Sequence, residues 1–212
     1  SDIVELRSKL EQNFNLLATE SSSDTSILLL HGRGLHPSEP NIIDPLRVDL
    51  INVGYNVFSL QLPVLEKGKS YNEYVKIFKY SDTRIESALN YIDSKKIIII
   101  AHSCGAHMLL SFIDNMGIGN ISGIVLLGAG AVDKGQAMKT DINLSNYKIP
   151  VLNIYAEYDH NSVKQFADVL KLQYSISQDK YLNALEVNSA DHNYKDQTYT
   201  LIESVKKWLK AL

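Results

Sequence analysis

The feature that most constrains the fold is an abrupt change of pattern near the middle of the chain. Four consecutive isoleucines, residues 97–100, are typical of a strand buried on both faces. The residues Ala-His-Ser-Cys-Gly at 101–105 follow, and an apolar pattern typical of a buried helix comes next. A strand, a small-x-Ser-x-Gly turn and a helix form a nucleophile elbow, whose strained turn holds the serine hydroxyl clear of the sheet. The pattern therefore predicts that Ser103 lies in this turn with its hydroxyl clear of the sheet.

The turn also has a simpler interpretation, because serine is a common N-cap at the start of a helix. In an elbow, Ala101 and Gly105 are small because the strand and the helix crowd together, and the backbone N–H of Cys104 faces the group that Ser103 attacks. If Cys104 were the nucleophile, the small position two residues earlier would hold His102, whose ring is too bulky. We therefore expect Ser103 to be the nucleophile and Cys104 a packing residue.

Length, composition and charge describe an ordinary globular chain. Its 212 residues suffice for one domain with a full core and are few for two, so we expect a single domain over residues 1–212. A net charge of -3 gives no reason to expect a nucleic-acid partner. No apolar run approaches the ~20 residues that span a bilayer, so no membrane span is expected.

The single cysteine excludes an internal disulfide and a cysteine-based zinc site. It predicts a cytoplasmic location, and a leader removed before Ser1 would instead mean a periplasmic or secreted protein. The scattered positions of His36 and His107 make a metal site unexpected as well. The sequence leaves the oligomeric state open.

Apolar runs alternate with helical patterns along the rest of the chain. Apolar residues at helical spacing predict an amphipathic helix over residues 2–18, so segment 1–20 is expected to pack on the domain as a helix. Strands are predicted at 27–30, 55–62, 97–100, 121–127, 151–156 and 184–187. About six strands alternating with helices predict an α/β fold with a mostly parallel sheet covered on both faces.

Two polar stretches are expected to lie outside this framework. Residues 64–80 are polar and aromatic, which predicts a loop over the sheet edge that can act as a lid. Residues 131–148 are mixed and polar, with a short helix expected near Met138. This second stretch is too short for a full helical lid, so the cap over the sheet is expected to be minimal.

Polar residues follow three predicted strands, where parallel sheets bind their ligands. Ser103, Asp159 and His192 appear in the chain order nucleophile, acid and histidine. A serine hydroxyl is a weak nucleophile, so His192 is expected to take its proton and Asp159 to orient the imidazole. Glu157 and Asp191 compete for the acid's role. The simpler alternatives are that Asp159 is a helix N-cap and His192 a solvated loop residue.

A glycine-containing turn follows the predicted strand at 27–30. In His31-Gly32-Arg33-Gly34, the backbone nitrogen of Arg33 or Gly34 is expected to join that of Cys104 in an oxyanion hole. The alternative is a plain glycine turn. The Arg33 side chain is expected to be solvated, although it can also recognise an acidic substrate group.

Four segments together resemble the α/β-hydrolase superfamily, and the resemblance runs from Ile27 to Leu212. The matching segments are Leu-Leu-Leu-His-Gly (28–32), Ala-His-Ser-Cys-Gly (101–105), Tyr-Ala-Glu-Tyr-Asp (155–159) and Ser-Ala-Asp-His-Asn (189–193). The resemblance implies hydrolysis of an ester, thioester or amide through an acyl-enzyme, without a metal or an organic cofactor. Segments 31–37 and 59–63 also resemble a group of small bacterial α/β-hydrolases with no assigned substrate.

These observations lead to one expectation with two alternatives. We expect a serine hydrolase that cleaves the ester or thioester of a small-molecule acyl substrate with Ser103, His192 and Asp159 as its catalytic triad. His31, Gly32 and His102 are expected to contact the substrate. An inactive binding protein with the same fold and an acyltransferase with the same triad are the alternatives, because a fold does not dictate a function.

Overall fold

The computed structural model describes residues 1–10, 12–139, 143–177 and 181–212. Eight strands form one sheet: β1 (Asp2–Arg7), β2 (Asn13–Thr19), β3 (Thr25–Leu30), β4 (Asn56–Leu60), β5 (Lys96–His102), β6 (Ile121–Leu127), β7 (Val151–Ala156) and β8 (Leu182–Val187). Their order in the sheet is β1-β2-β4-β3-β5-β6-β7-β8. β2 is antiparallel to both of its neighbours, and the remaining pairs are parallel. The predicted α/β fold with a mostly parallel sheet is confirmed, with eight strands rather than about six.

Helices cover both faces of this sheet. They are α1 (Ile43–Val53), α2 (Tyr71–Val75), α3 (Phe78–Tyr91), α4 (Cys104–Met116), α5 (Asn161–Ser177) and α6 (Thr198–Lys210), with a short 3-10 helix at Leu144–Tyr147. Because side chains alternate across a strand, the isoleucines of β5 divide between two apolar cores. Ile99 packs in the core that holds α3 and α4, whereas Ile98 packs in the core that holds α1 and α6. Within the described residues, no helix has the length and apolar character needed to cross a bilayer.

The N-terminal segment is a β-hairpin, so the predicted helix over residues 2–18 is wrong. β1 pairs with β2 from Asp2 opposite Ala18 to Arg7 opposite Asn13, and β2 then pairs with β4. Within β2 the buried residues alternate with exposed ones, which is the period of a strand. Glu11, also inside the predicted helix, lies outside the described residues. The sheet therefore gains two antiparallel strands at one edge.

The start of α1 also differs from the sequence pattern. Asp44 followed by Pro45 predicts an N-cap, yet the helix begins at Ile43. The Glu39 carboxylate accepts hydrogen bonds from the N–H groups of residues 41, 42 and 43 at 2.7, 2.9 and 3.2 Å, so it satisfies donors that the helix leaves free. Gly54 ends the helix in the left-handed conformation, which glycine adopts without strain.

The stretch 64–80 is only partly a loop. Ser70 and Glu73 form a capping box at the start of α2, and Tyr71 and Tyr74 are buried in the core. α3 then begins at Phe78, inside the stretch expected to be a loop. Two of the tyrosines of the proposed lid are thus anchored to the core. No helix surrounds Met138 among the described residues, and residues 140–142 lie outside them.

Candidate active site

Ser103 lies in the tight turn between β5 and α4. Its backbone angles are φ 52° and ψ -121°, a region that few non-glycine residues adopt. Its side chain makes no capping hydrogen bond to the helix, so the N-cap interpretation is wrong. The hydroxyl instead lies 2.8 Å from Nε2 of His192. The turn therefore holds the hydroxyl out of the helix and against an imidazole.

Ser103, Asp159 and His192 meet at the carboxyl edge of the sheet. Asp159 follows β7 and His192 follows β8, and Nδ1 of His192 lies 2.6 Å from Oδ1 of Asp159. The other two acids considered for this position are engaged elsewhere. Glu157 accepts from the N–H of residue 189 at 2.7 Å, and Asp191 accepts from the N–H groups of residues 193 and 195 at 3.0 Å. Of these three carboxylates, only Asp159 contacts His192.

The surroundings of Asp159 fix the roles of the two imidazole nitrogens. The carboxyl side chain is fully buried, and burial alone would raise its pKa. Hydrogen bonds from His192 and from the N–H groups of His160 and Ala156, together with the adjacent imidazole, hold that pKa below its usual value. An ionised carboxylate accepts the proton on Nδ1, so Nε2 of His192 is left to accept from the Ser103 hydroxyl.

Gly128 provides the space in which His192 lies. It follows β6 with φ 59°, and a Cβ at this position would be 2.9 Å from Cε1 and 3.1 Å from Nδ1 of His192. Both the backbone conformation and the close approach therefore require glycine. No role in the site is expected for Gly128 from the sequence. Its one visible signal is a glycine placed directly after a buried strand at the edge where ligands bind.

Gly105 brings the elbow against the loop that follows β3. A Cβ on Gly105 would lie 2.3 Å from the carbonyl oxygen of His31 and 3.0 Å from that of Leu30. The first turn of α4 thus rests on the backbone of the 31–34 loop, which is the segment expected to supply an oxyanion donor. The small size of Gly105 sets the distance between these two segments.

A cavity of about 240 Å³ lies beside Ser103. Gly32, Arg33, His102 and Cys104 line it, and these are four of the six residues expected in the oxyanion hole or beside the substrate. Cys104 is the first residue of α4, so its N–H has no acceptor within the helix and is free to bind an oxyanion. Burial raises the pKa of the Cys104 thiol to about 12, which keeps the thiol protonated. Gly34 lines a neighbouring cavity instead.

His31 does not line the cavity beside Ser103, which corrects its expected contact with substrate. Its side chain is buried, and burial lowers its pKa to about 4. Nδ1 lies 2.8 Å from the carbonyl oxygen of Gly32, and Nε2 accepts from the N–H of Leu62 at 3.0 Å. The neutral ring therefore fastens the loop after β3 to the segment after β4, and its role is to hold that loop.

His102 does line the cavity, but it also supports the neighbouring loop. Its Nε2 lies 3.2 Å from the carbonyl oxygen of His192, and the centroids of the two rings are 5.2 Å apart. Burial lowers the pKa of His102 to about 4, which keeps the ring neutral. Because a carbonyl oxygen can only accept, the single ring proton lies on Nε2, and Nε2–H donates a hydrogen bond to that carbonyl. The position fits the expectation of a pocket wall, with a second contact that orients the loop carrying His192.

Because three histidines are buried, we expect the free energy of unfolding to fall in acid. Burial lowers the pKa of His31 and His102 to about 4 and that of His107, whose Nε2 accepts from the N–H of Gly130, to about 3. Below pH 6.5 the unfolded chain binds protons that the folded chain does not, so the free energy of unfolding falls as pH decreases. Each histidine contributes up to about 1.4 kcal/mol per pH unit.

Urea unfolding at pH 7.5 and pH 5 measures this loss. The variant His107→Gln should show a smaller difference between the two pH values than the parent, because it has one fewer buried imidazole and its amide oxygen can still accept from Gly130. The matched control is His36→Gln at an exposed position, which should keep the parent's difference. Equal differences in the parent and in His107→Gln would show that burial of His107 is not the cause.

His160 lies over His192, with ring centroids 4.7 Å apart. Asp159, His160 and His192 place possible ligand atoms within 4.8 Å of one another, a spacing that can hold a metal ion. Asp159 already accepts from His192, and His192 also contacts Ser103. These hydrogen bonds account for the arrangement, and a metal bound by all three residues would have to compete with them.

An ion pair at the edge of the cavity is the main feature that sequence reasoning missed. Arg33 donates from both terminal nitrogens to Asp133, at 2.7 and 2.9 Å. The N–H of Tyr71 donates to the same carboxylate at 2.7 Å. Hydrogen bonding from Arg33, with help from Tyr71, lowers the pKa of Asp133 to about 2 despite partial burial. Arg33 is therefore not freely solvated, and its charge is already paired with Asp133.

No protein-family model matches the chain, and no curated protein matches its sequence. Solved structures do match, at low identity. Esterase Pf2001 from Pyrococcus furiosus is 15% identical with a TM-score of 0.75, over 99% of this chain and 90% of that one. Est1E from Butyrivibrio proteoclasticus is 16% identical with a TM-score of 0.72, over 100% and 98%.

A third match bears the superfamily's name. It is a protein of unknown function from Agrobacterium tumefaciens described as a putative alpha/beta hydrolase, 15% identical with a TM-score of 0.73, over 99% of this chain and 95% of that one. Such likeness extends over nearly the whole of each chain, and it agrees with the resemblance carried by the four sequence segments. The chain therefore has the fold of the α/β-hydrolase superfamily.

Proposed function

We propose that this chain is a serine hydrolase that cleaves a carboxylic ester or thioester through an acyl-enzyme intermediate. The main support for the proposal is that one imidazole contacts both a serine hydroxyl and a buried carboxylate. His192 lies 2.8 Å from the Ser103 hydroxyl and 2.6 Å from the buried carboxylate of Asp159. A general base must lie within hydrogen-bonding distance of the proton that it removes, and this arrangement satisfies that requirement.

The first half of the reaction forms the acyl-enzyme. Oγ of Ser103 attacks the substrate's carbonyl carbon while its proton passes to Nε2 of His192, and Asp159 stabilises the resulting imidazolium without taking a proton. The N–H groups of Cys104 and Arg33 stabilise the negative charge on the former carbonyl oxygen. Collapse of this intermediate breaks the bond to the alcohol or thiol, which leaves with the proton from His192.

The second half returns the enzyme to its starting state. Water attacks the acyl group on Ser103 as its proton passes to Nε2 of His192, and the acid leaves when Oγ regains that proton. A buried thiol with a raised pKa supports Ser103 rather than Cys104 as the attacking group. Two of the structurally similar proteins are esterases, and this supports an ester as the proposed substrate of this chain.

Mass spectrometry after treatment with a fluorophosphonate tests the proposal. We expect one adduct on Ser103 in the parent, none in Ser103→Ala, and an undiminished adduct in Cys104→Ala, because only an activated serine reacts with the reagent. Hydrolysis of p-nitrophenyl acetate should fall by at least about 10⁴-fold in Ser103→Ala.

Two results would contradict the proposal in different ways. A folded parent that forms no adduct and hydrolyses no ester would favour a binding protein of the same fold. Faster transfer of the acetyl group to an added alcohol than to water, with the same dependence on Ser103, would favour an acyltransferase. Product analysis in the presence and absence of the alcohol distinguishes the second result from simple hydrolysis.

A further inference from the structure

Two cavities meet at the Arg33–Asp133 ion pair. The cavity beside Ser103 has a volume of about 240 Å³, and a second cavity of about 750 Å³ lies next to it. Among the described residues that line these cavities, only Arg33 and Asp133 line both. The ion pair therefore stands between the space in which the acyl-enzyme would form and a space three times as large.

The ion pair is held by three hydrogen bonds, and its two side chains are 33% and 36% exposed. Both guanidinium nitrogens donate to the carboxylate, and the backbone N–H at the start of α2 adds a third hydrogen bond. Charge-assisted bidentate pairs have a defined geometry and are stronger than single hydrogen bonds. The low pKa of Asp133, about 2, keeps its carboxylate ionised at any pH at which the enzyme is expected to act. The pair therefore forms a defined part of the boundary between the two cavities.

The two cavities differ in size, and both have apolar as well as polar surface. Leu35, Ala131 and Val132 supply apolar surface beside Ser103, in a volume below the roughly 300 Å³ typical of sites for drug-sized ligands. The larger cavity is lined mainly by residues 65–70, including Glu66 and Lys67. A small acyl group fits the first space, and a longer chain that extends directly from it into the second must pass the ion pair.

We propose that the Arg33–Asp133 ion pair determines substrate size by closing the reaction cavity toward the larger cavity. The enzyme accordingly acts on short-chain acyl esters. This inference rests on the proposed function and adds the class of substrate that the site takes. Removing both side chains joins the two cavities and admits longer groups, whereas Asp133→Asn keeps the side-chain volume, loses one of the two acceptor atoms and should shift the selectivity much less.

The test is the ratio of kcat/KM for p-nitrophenyl octanoate to kcat/KM for p-nitrophenyl acetate. The ratio within one enzyme cancels any general loss of activity caused by a displaced 31–34 loop. We expect a ratio well below one in the parent and in Asp133→Asn, and at least about a tenfold increase in the double variant Arg33→Ala/Asp133→Ala. The matched control removes the exposed ion pair between Lys95 and Asp24, and its ratio should equal that of the parent.

Alkyl acetates of increasing length, measured with the same proteins, probe the alcohol side of the ester. A tenfold shift in the acyl series supports the proposal. Its absence in a folded, active double variant overturns the proposal, and a shift confined to the alcohol series shows that the ion pair limits the alcohol and not the acyl group. A parent that prefers octanoate to acetate also overturns the proposal.

If the double variant does not fold, the single variant Asp133→Ser provides the same comparison. Hydrolysis that depends on Ser103 but shows none of these shifts refutes this inference alone, whereas a lack of any hydrolysis refutes the proposed function as well.

Discussion

His192→Ala should lower kcat for ester hydrolysis by roughly 10⁶-fold, and Asp159→Asn should lower it by about 10⁴-fold. The first substitution removes the group that takes the proton from Ser103. The second leaves the shape of the site intact but replaces an acceptor by an amide, which favours the wrong tautomer of the imidazole. Steady-state kinetics with p-nitrophenyl acetate measures both losses, and circular dichroism confirms that each variant is folded.

The two acids that the sequence leaves as alternatives are the matched controls. Glu157 and Asp191 occupy the same loops as Asp159 and His192, but their carboxylates accept from backbone N–H groups instead of from the imidazole. We therefore expect Glu157→Gln and Asp191→Asn to retain kcat within a few-fold of the parent. If either variant loses as much activity as Asp159→Asn, the assignment of Asp159 is wrong.

Gly105→Ala should destabilise the protein by about 3 kcal/mol, at the upper end of the cost of overpacking. The added methyl group would lie 2.3 Å from one backbone oxygen and 3.0 Å from another. Backbone atoms cannot rotate away as a side chain can, so α4 and the 31–34 loop would have to move apart. Urea unfolding monitored by circular dichroism measures the loss.

Gly32→Ala is the matched control, because it adds the same methyl group to the other segment of the same junction. The contacts of that methyl group are looser, at 3.1 to 3.4 Å, and all are with side-chain atoms. We expect its free energy of unfolding to fall by less than about 1 kcal/mol. Equal losses in the two variants would mean that contact with the backbone at Gly105 does not limit stability.

The parts of the fold that local pattern determines were predictable from the sequence. The isoleucine run of β5, the turn at Ser103 and the positions of Asp159 and His192 after two later strands are all visible within short segments. Topology then brings the ends of those strands to one edge of the sheet. These local signals explain why the three residues that meet in the candidate site could be named from the sequence.

The parts that depend on distant partners were not predictable. The apolar residues of the N-terminal segment fit a helical period as well as a strand period, and the deciding partner, β4, lies about 40 residues further along the chain. Asp133 stands in a polar segment without a motif, and its partner Arg33 is 100 residues away. His31 has the expected position, but only tertiary packing reveals that its ring faces Leu62 rather than the cavity.

The separations of these contacts along the chain bear on how the candidate active site forms during folding. Ser103 and His192 are 89 residues apart, and Asp133 joins residues 62 and 100 positions before it. Contacts between distant residues form only after the intervening chain has closed into loops, which is entropically costly. Individual strands and helices can therefore be in place while the site is still incomplete. Recovery of activity on refolding thus reports the completion of tertiary structure, and secondary structure should return before it.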